Sequence, residues 1–93
     1  MKYEKYLPIG TVVMLKGGKK RAMIIGFCSI PQEDKSKMYD YSGCLYPEGM
    51  IASDKILLFN HEQIEKIYCL GFSDEEEKQF KTNLKKMLEQ TNK

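Results

Sequence analysis

The residues of this chain best suited to chemistry gather in one stretch, YDYSGCLYPEG, Tyr39 to Gly49. It holds three tyrosines, a cysteine, an aspartate, a serine and a turn proline. A cysteine nucleophile needs a base within hydrogen-bond reach and a third group to orient that base. With a single histidine in the chain, the one candidate dyad is Cys44 with His61. His61 stands in NHEQ, which reads as one helical turn, where a solvated or capping role accounts for it. Asp40 and Glu48 supply the carboxylates of a glycosidase-like pair. They fall on a strand and a turn tip, and a domain of 93 residues offers little cleft in which to raise one pKa.

Metal and phosphate chemistry fare no better. Cys28, Cys44, Cys69 and His61 make a notional Cys3His zinc set, yet structural zinc sites take ligands in close pairs and these four are widely spaced. Three is an odd number of cysteines, each in apolar or aromatic surroundings, so buried thiols are expected rather than a disulfide framework. Gly17-Gly18 precedes a strand pattern, not a helix N-terminus, and is no phosphate loop. The expectation is therefore no catalytic residue, no metal and no cofactor.

Positioning falls to short strands and one helix. LPIGTVVMLKGGKKRAMIIGFC reads as a β-hairpin, with Thr11–Leu15 and Ala22–Phe27 flanking a glycine turn that carries Lys16, Lys19, Lys20 and Arg21. Both runs are nearly continuous in apolar residues, which predicts cover on both faces; Gly26 predicts a bulge. SIPQEDKSKM lacks periodicity and reads as a mobile loop over 29–38. YDYSGCLY alternates as a strand with a glycine kink at Gly43, and Pro47-Glu48-Gly49 fits a type I turn. KILLFN and EKIYCLGF give two further strands around the NHEQI turn. The chain closes with a helix from about Asp74 to Gln90, begun by a Ser73–Glu76 capping box and carrying a stripe of Phe80, Leu84, Met87 and Leu88.

The fold class expected is α+β: about five short antiparallel strands in a bent sheet or small partly open barrel, with one C-terminal helix packed on it. The organisation is a single domain over 1–93, with a sheet region over 6–72 and the helix over 73–90. Hydrophobic residues make up 42% and charged residues 30%, which excludes intrinsic disorder. No apolar run approaches the roughly 20 residues of a membrane span, and MKYEKYLPIG lacks a signal-peptide core, so a cytoplasmic location is the default. The net charge of +2 divides unevenly, with six Lys/Arg and one Glu in residues 1–21. Such asymmetry permits a basic patch but falls short of a dedicated nucleic-acid binder.

Taken together, YLPIGTVVMLKGGKKRAMIIGF, YDYSGCLYPEGM and FNHEQIEKIYCLGFSDEEE, in that order over about residues 6–80, resemble the family catalogued as domain of unknown function 4176. Members of that family occur in Gram-positive bacteria beside type VII secretion genes, particularly those for toxins with an LXG domain. The resemblance implies a cytoplasmic accessory or chaperone-like protein for such a toxin, with no enzymatic activity and no catalytic residue to carry over. Sequence reasoning then places the helix stripe in the core. It puts a protein partner on Tyr41, Tyr46, Pro47 and Met50, where tyrosine suits a contact dry at one end and wet at the other. The alternative is a small RNA-binding barrel that uses Lys16, Lys19, Lys20 and Arg21.

Overall fold

The structure, a computed structural model, describes residues 4–31, 33–52 and 56–91, residues 90 and 91 by their backbone. Lys2 of the basic N-terminal region, Gln32 of the polar loop and Lys55 at the head of KILLFN lie outside the described residues. Five strands follow in chain order: β1 (Val12–Leu15), β2 (Arg21–Ser29), β3 (Tyr39–Tyr46), β4 (Leu57–Phe59) and β5 (Ile64–Cys69). A single 3-10 turn, His61–Gln63, joins the last two, and the helix α1 runs over Glu75–Thr91. All pairings are antiparallel and the sheet order is β4-β3-β2-β1-β5, one open sheet with β4 and β5 as its edges. The α+β expectation holds, and the barrel alternative gives way to the open sheet.

Register explains which face is dry. Val13 pairs with Ala22, Ala22 with Leu45 and Tyr41 with both Phe27 and Phe59, so these side chains share one face. The buried cluster on that face is Leu7, Val13, Ala22, Ile24, Tyr41, Phe59 and Ile64, with Leu15, Phe27, Leu57 and Ile67 packed around it. The bulge expected at Gly26 occurs as a register shift between Ile24 and Gly26. Gly43 is required for packing: a β-carbon there would sit 2.7 Å from the Met23 carbonyl oxygen and 3.0 Å from the Phe59 ring. Cover on both faces of the hairpin is realised only in part, for Met14, Met23 and Ile25 stay half-exposed.

Two local readings are corrected. The turn after β3 is wider than a type I turn: Gly49 N donates to the Leu45 carbonyl at 2.7 Å, and the Tyr46-Pro47 bond is cis. At the helix start the cap is Asp74, not Ser73, because Asp74 Oδ1 accepts from Glu77 N at 2.9 Å while the Ser73 hydroxyl donates to the Glu77 carboxylate at 2.6 Å.

The larger correction concerns α1. None of its described residues is buried, and Phe80 is 51% exposed. Its ties to the rest of the fold include the Phe27–Phe80 ring contact, 5.8 Å between centroids, and the Lys85–Glu4 ion pair at 2.9 Å. The stripe is not core because its place is taken. The segment before β1 lays Tyr6 and Leu7 over the sheet, with the Tyr6 ring 6.0 Å from Phe27 and 6.3 Å from Tyr41.

Candidate functional site

Tyr41, the centre of the chemistry-rich stretch, is wholly buried, and its hydroxyl is a structural hub. The oxygen accepts N–H bonds from Tyr6 at 2.9 Å and Leu7 at 3.2 Å, and the hydroxyl lies 2.7 Å from His61 Nδ1. With two amides already aimed at the oxygen, the phenol proton points at Nδ1, which assigns the neutral imidazole its proton on Nε2. Asp40 Oδ2 accepts from the backbone N of His61 at 2.9 Å, Asn60 Oδ1 accepts from Asp40 N at 3.0 Å, and Lys5 lies 3.6 Å from Asp40. Gln63 Oε1 closes the 3-10 turn on Asn60 N at 2.7 Å, the capping residue expected from NHEQI. An open recess of about 300 Å³ borders this network, lined by Lys5, Asp40, Asn60, His61 and Glu62.

The expectation that Tyr41 meets a partner is thereby corrected. A phenol that ties the N-terminal segment to the sheet from inside has no surface to offer. Nor do the imagined catalytic pairs assemble. Cys44 and Tyr41 stand on opposite faces of β3 by alternation, so the sheet separates Cys44 from the His61 ring bonded to Tyr41. Asp40 binds at the start of β3, whereas Glu48 pairs with Lys20 at 2.7 Å beyond its end, a strand length of roughly 20 Å away. Burial pushes the Tyr41 hydroxyl above the ordinary phenol range, and pushes Tyr6 up to about 12 with the neighbouring Cys28 adding to the shift. Burial also raises the Cys28 thiol, the opposite of what activates a nucleophile. Among the described residues no group of three or more His, Cys, Asp or Glu side chains converges as a metal site would require.

The remaining sequence-predicted residues lie on the surface. Tyr46, Pro47 and Met50 are exposed around the β3 exit turn, and Lys16, Lys19, Lys20 and Arg21 are exposed around the β1–β2 turn. Arg21 brings the two groups together, its guanidinium carbon 5.0 Å from the Tyr46 ring centroid. Sequence reasoning missed Tyr68 and Lys66 of β5, which complete this arrangement; only the sheet order could have placed them there.

A second exposed region, also missed, surrounds the exit of β5. Ile9, Leu70 and Phe72 are exposed, Phe72 at 81%, and they flank the point where the Ile9–Gly10 segment crosses Gly71. A β-carbon at Gly71 would collide with the Ile9 carbonyl oxygen, so only glycine lets the two segments touch. The crossing is pinned by Thr11, whose hydroxyl donates to the Pro8 carbonyl at 2.6 Å and accepts from Gly71 N at 3.0 Å. Between this crossing and α1 runs an open groove of about 260 Å³ lined by Glu4, Leu7, Pro8, Leu70, Gly71, Ser73 and Lys81. The signal was present in the sequence as GFS before the acidic run, where an aromatic precedes a helix cap with nothing assigned to cover it.

No helix among the described residues is long and apolar enough to cross a membrane. Comparison with curated proteins and with solved structures gave no match. The sequence model of one family matches residues 6–80, from the Tyr41-bound segment through the exposed Phe80. The chain belongs to the family described as Domain of unknown function (DUF4176).

Proposed function

We propose that the protein is a non-enzymatic, chaperone-like accessory protein that binds an LXG-type toxin of a type VII secretion system in the cytoplasm before export. The observation that supports this reading most is the set of large apolar side chains left exposed, Ile9, Leu70 and Phe72 at the crossing and Phe80 on α1, with Leu70 lining the groove and β5 an edge strand. Large aromatics left in water beside an edge strand suit a partner segment that is itself apolar, whether it arrives as a strand or as a helix. The absence of catalysis is supported by the commitment of Tyr41, His61 and Asp40 to holding one another. On this reading the toxin contact expected at Tyr46, Pro47 and Met50 moves to the β5–α1 side.

Co-expression with the LXG protein encoded beside it tests the reading. The tagged wild-type chain is expected to retain the toxin through size-exclusion chromatography, and Phe72→Ser with Phe80→Ser to lose it while melting within a few degrees of wild type. A toxin that never co-purifies with the wild-type chain, or that binds the double variant equally well, overturns it.

A further inference from the structure

The outer face of the sheet, opposite the Tyr41 cluster, carries aromatic and cationic side chains from β3, β2 and β5, with Met14 of β1 between them. Tyr46 pairs with Arg21, Met14 pairs with Lys66, and because Val13 pairs with Ala22 the Arg21 position falls level with Met14. The side chains interleave. The Arg21 guanidinium carbon lies 5.0 Å from the Tyr46 ring centroid and 5.8 Å from that of Tyr68, and the Lys66 ammonium lies 4.8 Å from the Tyr68 ring. Both rings keep surface in water, Tyr46 at 37% and Tyr68 at 44% exposure. Exposed Lys16, Lys19 and Lys20 extend the set into the β1–β2 turn.

We propose that this face binds single-stranded nucleic acid, with bases stacked on Tyr46, Tyr68 and the Arg21 plane and phosphates held by Lys16, Lys19 and Lys66. Charge argues for a polyanion. Five cations meet two carboxylates here, Glu48 and Glu65, and Glu48 is already held by Lys20 at 2.7 Å. Among the described residues Lys16, Lys19, Arg21 and Lys66 form no close ion pair, and although Arg21 also faces Glu48, the cations on this face outnumber its carboxylates. The rings decide which polyanion. An acidic peptide would use the cations alone, whereas two exposed tyrosines flanking a guanidinium are what stacked bases need. Three strand spacings span roughly 14 Å, room for a few nucleotides and too short for sequence readout, so binding is salt-sensitive and sequence-tolerant. Phe80 lies on the Phe27 side of the sheet, opposite this face.

Fluorescence anisotropy with labelled oligouridylate and oligothymidylate of roughly 12 nucleotides, across a salt series, tests the proposal. Tyr46→Ala with Tyr68→Ala is expected to weaken binding about tenfold or more, and Tyr46→Phe with Tyr68→Phe to hold it within about twofold. Lys16→Ala and Lys19→Ala should each flatten the dependence of log affinity on log salt by somewhat under one unit. A titration of the unsubstituted protein followed by NMR should move the Tyr46 and Tyr68 ring signals and Arg21 Nε, which keeps the test independent of any variant's folding. No binding at low salt, loss of affinity in the lysine variants alone, or equal competition by polyglutamate overturns the proposal, the last result making the face a site for acidic protein segments.

Discussion

The interior around Tyr41 and the surface of α1 are built from similar residue types to opposite ends. Around Tyr41, the aromatics Tyr6, Phe27, Phe59 and the buried His61 enclose a hydroxyl whose hydrogen bonds all stay within the protein. Along α1, Phe80 touches Phe27 on one side and water on the other, and the helix depends on its Asp74 cap, its acidic first turn and its Lys81–Glu77 pair at 3.7 Å. An apolar residue stabilises the fold only by what it displaces from water, so the same phenylalanine is core in one setting and an unoccupied contact in the other.

The contrast is broken most directly at its centre. Tyr41→Ala is expected to cost about 3–5 kcal/mol in chemical denaturation, the range for emptying a packed aromatic site. Tyr41→Phe keeps the ring and removes the hydroxyl's bonds to the Tyr6 and Leu7 amides and to His61 Nδ1; about 1–3 kcal/mol should be lost. A Tyr41→Phe variant as stable as wild type would show that the hydroxyl is incidental.

Alkaline titration sharpens the same side of the comparison. Tyr6 has an ordinary value of 10.0 and is raised to about 12 in the folded protein, so the fold disfavours the phenolate. The stability this represents is fully present below pH 10 and is lost as pH rises from 10 toward 12. Melting temperature should fall across that window, and Tyr6→Phe should shallow the fall. A wild-type profile that stays flat there would show Tyr6 to be solvated like any surface tyrosine.

The helix side should respond weakly. Asp74→Ala is expected to cost about 1 kcal/mol through the lost cap. Leu84 is only half-buried, so Leu84→Ala should cost nearer to about 1 kcal/mol than the 2–5 kcal/mol of a core leucine. A loss of 3 kcal/mol or more at Leu84, read from urea midpoints, would erase the distinction between the two regions.

Much of the scaffold was legible because local rules fix it. The hairpin, the Gly26 bulge, the full span of β3 and the helix all follow from period, turn chemistry and breaker residues. What was not legible depends on contacts between distant residues. Alternation places Tyr41 on one face of β3 but does not say that Tyr6 and Leu7, about 35 positions earlier, supply the amides that draw its hydroxyl inward. Helical periodicity marks the Phe80–Leu88 stripe as apolar and is silent about whether the sheet has room for it. The cap was displaced by one residue because Ser73–Glu76 and Asp74–Glu77 both satisfy the same spacing, and the acidic side chain won the backbone amide. Tyr68 and Lys66 joined Arg21 only because β5 crosses over to pair with β1.

That crossover also sets a timetable for the emerging chain on the ribosome. β1 is an interior strand, yet the partner for its second edge is Ile64–Cys69, and the amide that completes Thr11 belongs to Gly71, 60 positions downstream. A nascent chain that has not reached those residues can form the β1–β2–β3 ladder but must leave Val12 to Leu15 with an open backbone edge. Synthesis at about 5–20 residues per second keeps that edge available for several seconds, long against hairpin formation. Folding therefore closes late, since seating β5, locking the Ile9–Gly71 crossing and bringing α1 against Phe27 all wait for residues beyond Phe59.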